Sequence, residues 1–259
     1  MHKHALLSDV LSYLVRKNKP ISYIETHSGR ALYDLKGAHA RKFGDAAHGI
    51  LVLEKVFRAD HPFLRCLLRT RENNGLEYYP GSPMIAALSL RNTDKLHLAE
   101  LHPQEYQALV RNMSSSHARV YREDGWQMAL AIAPPTPRRG MMFIDPSYEV
   151  KTDYETIPAR LTVLHQKWNI GILVLWYPIL EEGAHIQMLD QLTERFPHAF
   201  RHEVSFPPMR VGYRMVGSGM FVVNPTFGIE HGAAEFLEFS PFDTGPWRRQ
   251  IFRHQTATK

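Results

Sequence analysis

Residues 140–150 have the sequence GMMFIDPSYEV, and this stretch decides the fold. Its apolar residues 141–144 predict a short strand that is buried on both faces, which is typical of a parallel sheet. The strand ends directly at Asp145, and the rigid Pro146 and the aromatic Tyr148 follow. An ordinary Asp-Pro turn is one explanation of this ending. A functional site is the other, because open parallel sheets bind ligands at the carboxyl ends of their strands.

Short apolar runs alternate with helical patterns from residue 20 to about residue 197, which predicts an α/β fold. The run 170–176, IGILVLW, predicts a central strand, and an amphipathic helix is predicted over residues 5–16. No helical pattern separates the last two strands, so these should pair antiparallel. The predicted strands are 21–24, 95–99, 118–122, 140–144, 170–176, 200–206 and 219–223.

Five parallel strands joined by right-handed crossovers, followed by an antiparallel hairpin, give a mostly parallel seven-stranded sheet. This topology differs from the dinucleotide-binding pattern. It is the topology associated with class I, Rossmann-like, S-adenosylmethionine-dependent methyltransferases. Residues 35–75 predict a small helical insertion, which is broken at Gly44, Gly49 and Pro62. We therefore expect residues 1–259 to form one domain that carries this insertion.

The composition argues against several other classes of protein. The chain has 259 residues, 44% of them hydrophobic, and its single cysteine, Cys66, cannot form an internal disulfide. No apolar run reaches the roughly 20 residues that span a bilayer, and the first ten residues do not resemble a signal peptide. We therefore expect a cytoplasmic protein with no membrane partner. The 15 histidines lack zinc-site spacing, so no metal is expected, and His2-Lys3-His4 is expected to be a frayed terminus.

Acidic residues follow four successive predicted strands. Glu25 ends the first strand and is followed by Thr26 to Gly29, while Glu100, Asp124 and Asp145 end the next three. Any one of these acids alone is explained as a helix cap or a solvated loop charge. Four acids at one edge of a sheet repel one another, which favours a ligand that carries hydroxyls, amino groups and a positive charge.

S-adenosylmethionine has all three of these features. Glu100 is placed to accept hydrogen bonds from its ribose hydroxyls, and Asp124 from its adenine amino group. Gly125 and Gly29 would let the backbone approach the cofactor closely. A nicotinamide dinucleotide is a weaker candidate, since no GxGxxG follows the first strand, and no phosphate-binding GxxxxGK exists in the chain.

Asp145, Pro146 and Tyr148 suit the methylation of an exocyclic amino group. The Asp145 carboxylate and the Pro146 carbonyl would accept hydrogen bonds from the amino group, orient its lone pair and stabilise the positive charge that develops. Tyr148 would stack on the target base, which stabilises binding by roughly 1–3 kcal/mol.

A series of segments carries a resemblance to a known family. In chain order they are YIETHSG, YYPGSP, AELHP, EDGW, RRGMMFIDPSYE, TDY, LWYP and SGMFVVNP. Together they resemble the J-type family of bacterial large-subunit (23S) ribosomal RNA adenine-N6 methyltransferases over nearly the whole chain. The resemblance implies an enzyme that acts on 23S rRNA and needs no metal. We expect a monomer, and we expect the rRNA to be protein-free or partly unfolded, because RNA adenines are normally reached only when unstacked or single-stranded. The resemblance also implies cofactor contacts from His4, His27, Ser82, Glu100, Asp124, Gly125 and Asp145, with Asp145 as the catalytic carboxylate.

Two departures from the family pattern stand out. Ser147 replaces the second proline of the Asp-Pro-Pro-aromatic motif, and only Lys3-His4 remains of an arm rich in Tyr, His and Asn. They favour one alternative to the rRNA enzyme, a catalytically impaired RNA-binding protein on a methyltransferase scaffold. The Asp-Pro-x-Tyr motif also permits a second alternative, a DNA adenine-N6 methyltransferase. Arg138-Arg139 and Arg248-Arg249 are either RNA contacts or solvated loop charges. Tyr78, Tyr79, Trp176 and Tyr177 either line a base pocket or pack in the core.

Overall fold

A computed structural model of the chain describes residues 1–37, 57–150, 152–206 and 214–232, and the backbone of 248–253. The described helices are α1 (His2–Val15), α2 (Pro62–Asn74), α3 (Ser82–Ser89), α4 (Pro103–Asn112), α5 (Gly125–Ile132), α6 (Asp153–Lys167) and α7 (His185–Arg195). The strands are β1 (Ser22–Glu25), β2 (Leu32–Asp34), β3 (Tyr78–Pro80), β4 (Lys95–Ala99), β5 (Arg119–Tyr121), β6 (Gly140–Ile144), β7 (Ile172–Leu180), β8 (Phe200–Ser205), β9 (Met215–Val223) and β10 (Arg248–Arg253).

The main sheet has the strand order β10-β8-β9-β7-β6-β1-β4-β5. The strands β7, β6, β1, β4 and β5 pair in parallel, and β8 and β9 pair antiparallel, which confirms the predicted topology. β9 lies between β7 and β8 and runs antiparallel to both. The prediction missed one strand, because β10 adds to the outer edge of β8 and makes the sheet eight-stranded. Arg248 and Arg249 therefore begin an edge strand rather than lie in a loop.

Two hydrophobic clusters cover the two faces of the sheet. Met141 and Phe143 of β6 face the cluster that includes α1, and Met142 and Ile144 face the cluster that includes α6 and α7. Successive side chains of a strand point to opposite faces, so an uninterrupted apolar run is what a strand covered on both sides requires. This burial explains why residues 141–144 lack the polar alternation of a half-exposed strand.

The predicted insertion is joined to the domain by a two-stranded sheet that the sequence does not indicate. β2 and β3 pair antiparallel, so residues 78–80, predicted as a loop, form a strand. α2 confirms one of the expected helices, whereas those predicted over 38–56 lie outside the described residues. α3 begins one position earlier than expected, because Gly81 is the N-cap and Ser82 is the first helical residue.

The start of the chain corrects a prediction. Residues 2–4 are expected from the sequence to fray, but α1 begins at His2, and both His2 and His4 are 7% exposed. Their side chains pack into the domain because both rings find hydrogen-bond partners there. Among the residues that the structure describes, no helix is long and apolar enough to cross a membrane.

Candidate active site

His27, two residues beyond β1, is affected electrostatically by acids that follow the other parallel strands and by Asp153 at the start of α6. The side chains of Asp145, Glu100, Asp153 and Asp124 all act electrostatically to raise the pKa of this imidazole. Burial of the ring has the larger, opposite effect and lowers its pKa overall. Because neighbouring strands lie only about 4.8 Å apart, residues at the ends of β6, β1, β4 and β5 can share one cleft.

Glu100 organises the backbone at this edge. Its Oε2 accepts a hydrogen bond of 2.7 Å from the Gly29 N–H, and its Oε1 accepts one of 2.8 Å from the His102 N–H. Gly29 has a φ of +59°, and a Cβ at this position would lie 2.8 Å from the Tyr33 hydroxyl. Glycine is therefore required here for the left-handed turn and for the close approach of Tyr33.

Asp124 caps α5. Its Oδ1 accepts hydrogen bonds from the Trp126 N–H (2.8 Å) and the Gln127 N–H (3.0 Å). A Cβ on Gly125 would lie 1.8 Å from the Thr26 carbonyl oxygen, so this glycine lets the start of α5 pack on the loop after β1. The close approach that the sequence predicts at Gly125 is thus made by the protein's own backbone. Asp124 has both a structural bond and a place beside His27.

Glu25 ends β1 and is fully buried. The sequence alone predicts no individual role for it. Its Oε2 accepts a hydrogen bond of 2.7 Å from the Tyr23 hydroxyl, and its Oε1 accepts one of 2.5 Å from the Ser82 hydroxyl. Burial raises its pKa to about 8, against the opposing effect of those two bonds. Ser82, a predicted cofactor contact, therefore has its hydroxyl directed at Glu25.

His4 connects α1 to strand β3 and to α2. Its Nδ1 lies 2.7 Å from the Tyr79 hydroxyl, and its ring packs near Phe63 of α2. Burial lowers the pKa of His4 well below the usual value, so the ring is neutral at pH 7. Tyr79 is 6% exposed, which places it in the core rather than at the surface of a base pocket.

Asp145 directly follows β6 and forms an ion pair that the sequence does not indicate. Lys3 Nζ donates to Asp145 Oδ2 at 2.5 Å, and the two side chains are 25% and 12% exposed. The same ammonium lies 4.5 Å from the centroid of the Trp176 ring, within the range of a cation–π contact. The sequence does not predict this contact of Lys3, because the two residues are 142 positions apart.

Tyr148 turns back under the loop that Asp145 begins. Its φ of +56° is unusual for a residue with a side chain, and its hydroxyl donates a 2.7 Å hydrogen bond to the Trp176 carbonyl. The ring is 9% exposed and lies 4.7 Å, between centroids, from Tyr154. Stacking of Tyr148 on a base stays a prediction, whereas its contact with Trp176 holds the loop to β7. Pro146 is buried and Ser147 is exposed.

The predicted RNA contact at Arg138-Arg139 lies at the other edge of the sheet. These residues precede β6, whereas Asp145 follows it. Arg139 donates to the carbonyl oxygens of Leu14 and Lys19, so it secures the end of α1. Among the described residues, no group of three or more His, Cys, Asp or Glu side chains could hold a metal ion.

The sheet order, the final antiparallel strands and the acids at the carboxyl edge together define a class I methyltransferase, an enzyme class whose cofactor is S-adenosylmethionine. Comparisons with known proteins narrow this class. Residues 18–248 match the family model described as "Ribosomal RNA large subunit methyltransferase D, RlmJ". The chain belongs to this family.

Relatives and a solved structure agree with that assignment. The chain is 34% identical to Ribosomal RNA large subunit methyltransferase J of Escherichia coli, covering 88% of this chain and 83% of that protein. It is 31% identical to the Haemophilus influenzae protein of the same name, over 95% of this chain and 91% of that one. A crystal structure of a Legionella pneumophila protein is 32% identical, with a TM-score of 0.81, and covers 98% of this chain and 96% of its own.

Proposed function

We propose that the chain transfers a methyl group from S-adenosylmethionine to the exocyclic N6 of an adenine in 23S rRNA. The observation that carries this proposal is that Asp145, Glu100 and Asp124 follow the parallel strands β6, β4 and β5 at the same side of the sheet. Each of them also acts electrostatically on His27, which follows β1. A cluster of acids is costly unless a ligand or a cation compensates it. A cofactor with ribose hydroxyls, amino groups and a sulfonium compensates it, and the amino group of the target adenine approaches from the Asp145 side.

The residues present fit the cofactor. Glu100 and Asp124 each have carboxylate lone pairs beyond those used by the backbone N–H groups, since a carboxylate accepts about four hydrogen bonds. Ser28 is 3% exposed, and its Oγ has no hydrogen-bond partner among the described residues. A buried hydroxyl without a partner is unusual and suits a polar ligand in the loop after β1. His4, His27, Gly29, Ser82 and Gly125 complete the surroundings that we propose for the cofactor.

Asp145 is the proposed catalytic residue. S-adenosylmethionine, when bound, would supply an electrophilic methyl group, and the electron pair of the broken S–CH₃ bond would stay on sulfur, which becomes a neutral thioether. Lys3 occupies Asp145 Oδ2, so Oδ1 accepts a hydrogen bond from the adenine amino group, and the Pro146 carbonyl accepts the second. This pair orients the nitrogen lone pair toward the methyl group and stabilises the charge that develops on nitrogen. The amino nitrogen loses one proton, through Asp145, to solvent.

Finer features of the proposal follow from the same family. We propose that the chain acts as a cytoplasmic monomer, as one domain with its insertion at residues 35–75, and on rRNA that is protein-free or partly unfolded. An adenine inside a duplex cannot reach a buried carboxylate, so the target must be unstacked or single-stranded. We propose that such a base lies against Tyr148, three residues beyond Asp145.

Methyl transfer from labelled cofactor tests the proposal directly. Protein-free 23S rRNA, assembled large subunits and bacterial DNA are each offered to the purified chain, all from cells that lack this activity. We expect label in the adenine N6 of protein-free 23S rRNA. Asp145→Asn should lower the rate by roughly 10³-fold while RNA binding is retained. Label in DNA alone would favour the DNA enzyme, and label in neither pool would contradict the proposal.

A further inference from the structure

We propose that Ser218 is a positioning residue for methyl transfer, because its hydroxyl ties Trp176 to His2 and thereby holds Lys3 beside Asp145. The proposal rests on the proposed function for its kinetic consequence, but its geometry is independent of the substrate. Ser218 touches none of the reacting groups itself. It acts through Trp176 and through the first turn of α1.

Three neighbouring strands present the residues of this network on one face of the sheet. Trp176 of β7 and His202 of β8 both lie opposite Met220 of β9, and Ser218 lies two positions before Met220. Residues two apart on a strand share a face, so the three polar side chains project to the same side. α1 covers this side, and it places His2 over them.

The hydrogen bonds form a continuous chain. Trp176 Nε1 donates to Ser218 Oγ at 2.8 Å, and Ser218 Oγ lies 2.9 Å from His2 Nδ1. His2 Nε2 lies 2.8 Å from His202 Nδ1. The indole N–H can only donate, so the serine oxygen must accept from it. Its other hydrogen bond is with His2, so the Ser218 hydroxyl connects strand β7 to helix α1.

The residues of this hydrogen-bond network are buried, which strengthens their hydrogen bonds. His2 and Ser218 are each 7% exposed, and His202 is fully buried. In such surroundings a hydrogen bond is stronger than in water, and a buried polar group that loses its partner is costly. The indole of Trp176 therefore has one strongly favoured orientation.

This hydrogen-bond network reaches the proposed catalytic loop through Trp176 and through Lys3, the neighbour of His2. The Trp176 ring lies 4.5 Å from Lys3 Nζ, and Lys3 forms the 2.5 Å ion pair with Asp145. The Trp176 carbonyl accepts the hydrogen bond from Tyr148. Lys3 also neighbours His2 in α1, so Ser218 fixes both the ring and the helix turn between which the lysine is held. Loss of the hydroxyl should let Lys3 leave Asp145 without removing any group that binds cofactor or RNA.

Ser218→Ala, Ser218→Thr and Ser22→Ala test this inference. Ser22 is the control, because it is also a buried strand serine, but its hydroxyl donates a hydrogen bond of 2.7 Å to the Pro137 carbonyl at the amino ends of the parallel strands. We expect Ser218→Ala to lower kcat about tenfold, with KM for cofactor and RNA within about twofold of the unaltered protein. Ser218→Thr, which keeps the hydroxyl, should restore most of kcat, and Ser22→Ala should leave kcat unchanged.

Crystal structures of the same variants give a readout that does not depend on activity. In Ser218→Ala the Trp176 ring should turn and the distance from Lys3 Nζ to Asp145 Oδ2 should lengthen by more than about 1 Å, which breaks a hydrogen bond. It should stay unchanged in Ser22→Ala. An unchanged Lys3–Asp145 contact in Ser218→Ala, an unchanged kcat, or an equal loss of kcat in Ser22→Ala would overturn the inference. If the unaltered protein methylated no rRNA, the proposed function would fail, and the structures would still decide the role of Ser218.

Discussion

Charged residues have different partners at the two ends of the parallel strands, which we call the amino edge and the carboxyl edge of the sheet. At the amino edge, the fully buried Asp94 accepts hydrogen bonds from the backbone N–H groups of Ile21 and Arg91 and from the Arg91 side chain. Arg91 and Arg139 also donate to the carbonyl oxygens near the end of α1. At the carboxyl edge, four carboxylates act electrostatically on His27, and Ser28 Oγ lacks a hydrogen-bond partner among the described residues.

This difference teaches how a functional charge is told from a structural one. The same residue types occur at both edges, and their position in the sequence relative to a strand is what separates them. Charges at the amino edge have opposite charges and backbone groups as partners, so they hold the fold together. At the carboxyl edge Asp145 pairs with Lys3, and Glu100 and Asp124 accept backbone N–H groups. These acids also have like charges as neighbours, and they retain carboxylate lone pairs that a ligand can use.

Lys3→Met should give the largest effect at the carboxyl edge after Asp145→Asn. Removal of the ammonium leaves Asp145 without its ion-pair partner and free to turn from the target amino group. We expect the single-turnover rate of methyl transfer to fall roughly 100-fold, with cofactor affinity nearly unchanged. Lys3→Arg keeps the positive charge and should recover part of this rate. A rate for Lys3→Met within threefold of the unaltered protein would show that the ion pair has no role.

Asp94→Asn tests the amino edge with a stability measurement. The amide cannot accept the full set of hydrogen bonds from Arg91 and the backbone, and its own N–H₂ group meets other donors. We expect the free energy of unfolding, measured by urea titration, to fall by about 2 kcal/mol. The transfer rate of the folded protein should not change. A loss of rate without a loss of stability would contradict the claim that charges at the amino edge stabilise the fold and take no part in catalysis.

Glu100→Gln tests whether the carboxyl edge binds the cofactor. The substitution removes a charge and places an amide where Gly29 and His102 both donate N–H groups. We expect the Kd for S-adenosylmethionine, measured by calorimetry, to rise about tenfold, which corresponds to ~1.4 kcal/mol. Glu105→Gln is a suitable control, because Glu105 pairs with Arg30 in the first turn of α4 and follows no strand. Equal losses in both variants would mean that Glu100 acts only through general charge.

Glu25→Gln tests the buried acid through the pH dependence of stability. The pKa of Glu25 is raised to about 8 in the folded protein from 4.5, so folding binds a proton between these values. Its stabilising contribution is complete below pH 4.5 and is lost as the pH rises through about 8. The variant should lack this part of the slope, which is at most ~1.4 kcal/mol per pH unit. Identical slopes of unfolding free energy against pH in both proteins would contradict the raised pKa.

The sequence predicts the strand ends well and the side-chain contacts poorly. Apolar runs that stop at Glu100 or Asp145 mark both a buried strand and its carboxyl end, so topology and the row of acids follow from local patterns. Lys3, His2 and Ser218 carry no such pattern, because Lys3 contacts Asp145, which is 142 positions away, and His2 contacts Ser218, which is 216 positions away. The short strands β2, β3 and β10 were missed for a related reason, since pairing with a distant partner rather than their own residues determines them.

A crystal structure of the chain with S-adenosylhomocysteine would test most directly whether the acids at the carboxyl edge form one cofactor site. We expect its ribose hydroxyls within hydrogen-bond distance of the Glu100 carboxylate and its adenine amino group at Asp124. We also expect its sulfur to face Asp145 across the cleft that contains His27. A bound cofactor that contacts none of Glu100, Asp124 and Asp145, or that lies at the amino edge near Arg139, would contradict this arrangement and with it the proposed role of Asp145.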